Sequence, residues 1–138
     1  MRSSLILTLV CSIFRCTAVA AQPVDPALID GLNAWYENGV EAALRTWYSN
    51  RPELAFELKE KMVPGTKDLG SVIDSEVVAV QPISRRVTRY FVAVYFTRTP
   101  LWLCIDRYAS DTTAFYLPLR FSTDPDRILP GYLTEYRL

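Results

Sequence analysis

Val87-Thr88-Arg89-Tyr90-Phe91-Val92-Ala93-Val94-Tyr95-Phe96-Thr97 decides the fold. Almost every residue in it is β-branched or aromatic, the composition of a pleated, packed strand. Successive side chains point to opposite faces, so Tyr90, Val92, Val94 and Phe96 share one face and Phe91, Ala93 and Tyr95 the other. Both sets are apolar. A sheet with one wet face alternates apolar with polar residues. This strand does not, which predicts a central strand covered on both sides. One cover is the helical half of the chain. The other is a second subunit, the C-terminal tail or an unfilled pocket, because a large apolar face left open marks an interface.

Further strands flank this one. Ser71–Gln81 is rich in valine and isoleucine and ends at Pro82. Leu101–Tyr108 follows a turn at Arg98-Thr99-Pro100, and Thr113–Phe121 follows Ala109-Ser110-Asp111. Four strands joined by short turns predict an antiparallel meander. Pro118 inside the fourth places it at an edge or introduces a bulge, since proline cannot donate to the ladder. Beyond it, Ser122–Pro130 reads as one capped turn, with Asp124 as cap, Pro125 at the first position and Pro130 as the stop. Tyr132, Leu133 and Tyr136 then supply apolar groups for the sheet edge.

Toward the N-terminus the period lengthens. Over residues 26–37, Leu28, Leu32, Trp35 and Tyr36 fall on one helical face, with Asp25 to cap and Pro26 in the first turn. Asn38-Gly39 breaks the pattern. Val40–Tyr48 is a second helix, with one long helix across Gly39 as the alternative. A third restarts at Pro52 and ends at Pro64-Gly65, with Val63–Gly70 as a polar connection. Helices grouped before a meander define an α+β domain, with the helices packed on one face of a four-stranded antiparallel sheet.

Residues 1–21 read as a secretory signal peptide: Arg2, the apolar run Leu5–Phe14, then small residues through Thr17-Ala18-Val19-Ala20-Ala21 with cleavage after Ala20 or Ala21. The run is too short to span a bilayer, which needs about 20 apolar residues. An uncleaved N-terminal anchor is the alternative; the residues before Cys11 and Cys16 are too large to suit lipid attachment. Residues 22–138 form the single domain, so the destination is export, periplasmic or secreted, with no transmembrane span once the signal is removed. Of 15 basic residues the signal takes Arg2 and Arg15, leaving 13 against 15 acidic ones, a net charge of −2. That balance gives no support to nucleic-acid binding. Cys11 and Cys16 also leave, so Cys104 has no disulfide partner within the chain. It lies in the apolar run Leu101–Ile105 and reads as a small buried hydrophobe.

The chain has no histidine. That removes the commonest general base and metal ligand, and with it any Ser-His-Asp or Cys-His mechanism. No glycine-rich phosphate loop or Cys-x-x-Cys pair occurs, so no cofactor and no metal is expected. Asp106 is the most notable charge, being embedded in an apolar strand. A desolvated carboxylate there would serve as a general base; a strand-end ion pair with Arg89, Arg107 or Arg120 is the plainer reading. Arg120 and Tyr116 are expected on one face of the fourth strand, where they suit a small anion. Arg85-Arg86 and Arg89 form the only basic cluster, at a hairpin.

Trp35-Tyr36-Glu37-Asn38-Gly39-Val40-Glu41-Ala42-Ala43-Leu44 and the strands after it resemble the cystatin-like α+β superfamily. That group includes nuclear transport factor 2-like and ketosteroid isomerase-like domains. The hinge between the first helices, often Gly-Asp in such domains, is Gly39-Val40 here. Phe121-Ser-Thr-Asp-Pro-Asp-Arg-Ile-Leu-Pro130 looks like the ending of small exported bacterial proteins of this group. The resemblance implies a curved sheet wrapped around the N-terminal helices to leave a cone-shaped cavity. Isomerase-like members use a carboxylate base and an acid–tyrosine oxyanion site, and only Asp106 with Tyr90 or Tyr116 fits those roles. Two readings follow. The first is an exported, non-catalytic binding or assembly module, acting as a homodimer through its sheet face or on a small apolar ligand, with Trp35, Tyr90, Asp106, Tyr116 and Arg120 as ligand-binding residues. The second is a small-molecule isomerase or lyase with Asp106 as base and Tyr90 or Tyr116 as proton donor.

Overall fold

The computed structural model describes residues 23–135. The expected signal sequence, residues 1–21, and Tyr136 therefore lie outside the described residues. Helix α1 (Pro26–Asn38) begins where Asp25 accepts a hydrogen bond from the Ala27 amide and Pro26 occupies the first turn. Gly39 ends it with φ at 92°, a left-handed conformation that favours glycine, and α2 (Val40–Trp47) starts at once. The break at Gly39 thus separates two helices.

Helix α3 (Pro52–Thr66) runs past Pro64 instead of stopping there. Proline in a late turn removes one amide, and the carbonyl it would have served belongs to Glu60, which faces solvent. The Thr66 hydroxyl donates to the Met62 carbonyl at 2.8 Å, closing the last turn.

Strands β1 (Val72–Pro82), β2 (Val87–Phe96) and β3 (Pro100–Ala109) form an antiparallel meander with β2 in the middle. The expected fourth strand is two short ones, β4 (Ala114–Tyr116) and β5 (Arg120–Ser122), both paired with β3. The interruption falls at Leu117-Pro118-Leu119, where Pro118 cannot extend the ladder. It has a geometric consequence. Tyr116 pairs with Arg107 and Arg120 with Cys104, so four steps on one side answer three on the other. The extra residue inverts the alternation. Tyr116 and Arg120 therefore lie on opposite faces, which corrects the expectation that they share one.

The inner face of the sheet carries Tyr90, Val92, Val94, Phe96, Leu101, Leu103 and Ile105, and the helices pack onto it in one core with Leu28, Trp35, Leu44, Trp47, Tyr48 and Met62. Trp35 meets Trp47 and Phe96 edge-to-face, at ring separations of 6.3 and 6.2 Å. The outer face carries a smaller core in which Phe91 and Cys104 are covered by Ile128 and Leu129, with Leu133 packed alongside. Of the three possible covers, the C-terminal tail is the one present over the centre of that face. It is set by Asp124, which caps a 3-10 turn (Pro125–Arg127) by accepting from the Asp126 amide at 3.0 Å, followed by α4 (Gly131–Thr134). Tyr132 points to solvent instead of joining Leu133 on the sheet. Among the described residues no helix is long and apolar enough to cross a membrane.

Candidate functional site

The densest polar arrangement on the inner face joins the start of α1 to β2, β3 and β4. Asp25 is at its centre. One carboxylate oxygen caps α1; the other accepts the Tyr116 hydroxyl at 2.5 Å and the Arg107 Nε at 2.9 Å. Tyr90, on the neighbouring strand, turns its hydroxyl toward the Asp25 main chain. The sequence folds this way because Arg107 and Tyr116 are register partners on β3 and β4, with Tyr90 one strand further in opposite Ile105.

The electrostatics follow from burial. Both phenols are raised above their ordinary ionisation range, Tyr116 strongly, by desolvation first and by the Asp25 carboxylate second. For Tyr116 the hydrogen bond adds to this, because the carboxylate accepts a proton that only the neutral phenol carries. Tyr116 thus stays protonated at neutral pH and acts as a fixed donor to Asp25. Asp25 already has partners on both oxygens. The arrangement can hold α1 against the sheet, and it lines a hollow of about 340 Å³ with Thr46, Asn50 and Phe115 at its rim.

Asp106 is elsewhere. Its register partner is Arg89, on the outer face, and the two form a bidentate pair with N–O distances of 2.8 and 3.0 Å. Tyr90 is Arg89's neighbour in sequence and so points the opposite way. The structure therefore does not bring Asp106 together with Tyr90 or Tyr116, and of the residues named from sequence it joins only the two tyrosines. Trp35 is 3% exposed and fills the core. Arg120 lies on the outer face with its guanidinium 3.4 Å from the Cys104 sulfur. In the basic cluster, Arg89 is taken by Asp106, and Arg86 by Asp111 at 3.0 Å and the Ala109 carbonyl. Among the described residues no group of histidine, cysteine or acidic side chains is arranged to hold a metal.

Sequence reasoning missed Asp25 and Arg107 as members of one network. Asp25 was legible as a helix cap, but nothing in the spacing brings it to Tyr116, 91 positions away. A second hollow, of about 410 Å³, lies between α2 and α3. No protein-family model, curated protein or solved structure matches the chain.

Proposed function

We propose that the protein is an exported, non-catalytic binding or assembly module of the cystatin-like, nuclear transport factor 2-like kind, acting through an open pocket and not through the interior of a cone. The observation that carries the reading is the disposition of the ionisable groups on the sheet. Asp25 and Asp106 are each held by an arginine, and they lie on opposite faces. A general base needs an unoccupied carboxylate within reach of a substrate proton, and an acid partner on the same side. The cone-like reading rests on three helices packed inside the meander and on two bulges in β1, at Ile73 and Val78, which bend a strand and raise its twist. The interior is filled by Trp35, Trp47, Tyr48 and Met62, so a ligand must use a surface hollow.

Export follows from the first 21 residues. Self-association through the outer face is restricted to the strip beside the tail, where Tyr95 and Trp102 are half-buried. The reading is tested on the purified exported chain by N-terminal sequencing, by light scattering after size exclusion, and by ligand-detected NMR against pools of small metabolites. A processed N-terminus with saturable binding, or with a concentration-dependent dimer, supports it. A strict monomer that binds nothing in the pools defeats it.

A further inference from the structure

The groove between α2 and α3 is built from two matched stripes. Glu41, Leu44, Arg45 and Tyr48 follow the i, i+3, i+4, i+7 spacing of one helical face along α2 and its cap. Pro52, Ala55, Phe56 and Lys59 repeat that spacing on α3. Leu44, Tyr48 and Ala55 are buried and make the floor. Ala55 contributes only a methyl at the middle of its stripe, and the hollow lies over it. The Lys59 ammonium and the Glu41 carboxylate, 3.3 Å apart, tie the helices together and offset each other's charge.

One lining charge is left over. Arg45 is exposed, and its guanidinium makes no hydrogen bond or ion pair with any described residue. Beside it Phe56 presents a ring that is 61% exposed.

We infer that this groove binds a small aromatic carboxylate, with its ring over Ala55 against Phe56 and its carboxylate on the Arg45 guanidinium. The inference rests on the binding-module reading and names its ligand class. An aromatic ring gains both apolar burial and an edge or offset contact with Phe56. A planar carboxylate meets guanidinium through two parallel N–H bonds, which a neutral analogue cannot accept as well. The volume of about 410 Å³ falls in the range of small-ligand clefts and suits one or two fused rings.

The test is isothermal titration of the exported chain with 2-naphthoate and with neutral 2-naphthamide. Saturable binding of the acid, weaker by roughly tenfold or more for the amide and for Arg45→Gln, is expected. Ala55→Leu fills the floor and is expected to abolish binding, with the lowered melting temperature that a larger side chain at a buried position brings but with the fold retained. Circular dichroism melts of both variants establish that they fold. If the parent does not bind 2-naphthoate, or if both variants bind it as the parent does, the groove assignment is overturned. In the second case the binding-module reading survives with its pocket elsewhere.

Discussion

Tyr116 donates its hydroxyl proton to Oδ2 of Asp25 at 2.5 Å, joining two residues 91 positions apart. The same oxygen receives Arg107, and the other oxygen caps α1. One side chain thus fixes where the first helix meets the sheet. Asp25→Ala removes a helix cap worth about 1 kcal/mol and a charge-assisted hydrogen bond worth about 2 kcal/mol. A loss of about 3 kcal/mol in chemical denaturation is expected. Tyr116→Phe should lose about 2 kcal/mol. The double variant should fall short of the sum by 1 kcal/mol or more, because both changes remove one shared bond. Strict additivity would mean that the bond contributes nothing.

Helix α1 also comes unusually close to α2. A methyl added at Gly31 would overlap the indole of Trp47, whose Nε1 donates to the Leu28 carbonyl at 3.2 Å. Trp47 is buried and has little room to retreat. Gly31→Ala raises helix propensity by about 1 kcal/mol. In this setting the overlap should prevail, giving a net loss of about 1–3 kcal/mol. Thermal melting of the variant checks the sign: a rise in Tm would show that the helices separate freely.

Alkaline pH should weaken the fold through its tyrosines. Tyr48, Tyr90, Tyr95 and Tyr116 all have ionisation raised above the ordinary value of 10, in each case first by burial. Their neutral forms are favoured in the folded chain, so the unfolded chain releases these protons first. The stabilisation is complete below about pH 10 and is lost as pH rises toward the folded values. An absorbance titration near 295 nm should show the exposed tyrosines ionising first. Tyr48 and Tyr116, the most strongly shifted, should follow only with loss of the near-ultraviolet dichroism. A single smooth transition for all tyrosines, with the fold intact, would contradict the burial.

The order of elements was legible in the sequence because each rests on a local signal. Asp25-Pro26 starts a helix, Gly39 stops it, and the run Val87–Thr97 has the period of a strand covered on both faces. The separation of Tyr90 from Asp106 was implicit too, since it needs only the register that sets Arg89 opposite Asp106. What local signals did not carry was the count of residues across an irregularity. One extra residue around Pro118 sends Arg120 to the outer face and leaves Tyr116 inside. The Asp25–Arg107–Tyr116 network was hidden for a related reason: its members come from three elements whose meeting depends on how α1 packs, and periodicity says nothing about that. Pro64 is the converse case, a strong stop signal overridden because the unserved carbonyl is exposed to water.

The C-terminal tail makes a prediction that can be read at one atom. Cys104 is buried on the outer face under Ile128 and Leu129, and it is the only cysteine among the described residues. Its thiol can meet a reagent only when the tail lifts or the whole chain unfolds. Leu129→Ser removes a buried side chain worth about 2 kcal/mol from the small outer core. The inner core, which holds the helices to the sheet, does not include Leu129. The substitution should therefore populate the lifted tail about thirtyfold more without unfolding the domain. With Cys11 and Cys16 replaced by serine, modification by an aromatic disulfide should be slow in the parent and roughly tenfold or more faster in Leu129→Ser. The helical dichroism of the inner core should stay unchanged; tryptophan emission does not serve here, because Trp102 packs beside the tail. Equal modification rates in the two chains would mean that the tail does not guard Cys104. A rate increase accompanied by loss of the core signal would mean that the two cores open as one unit.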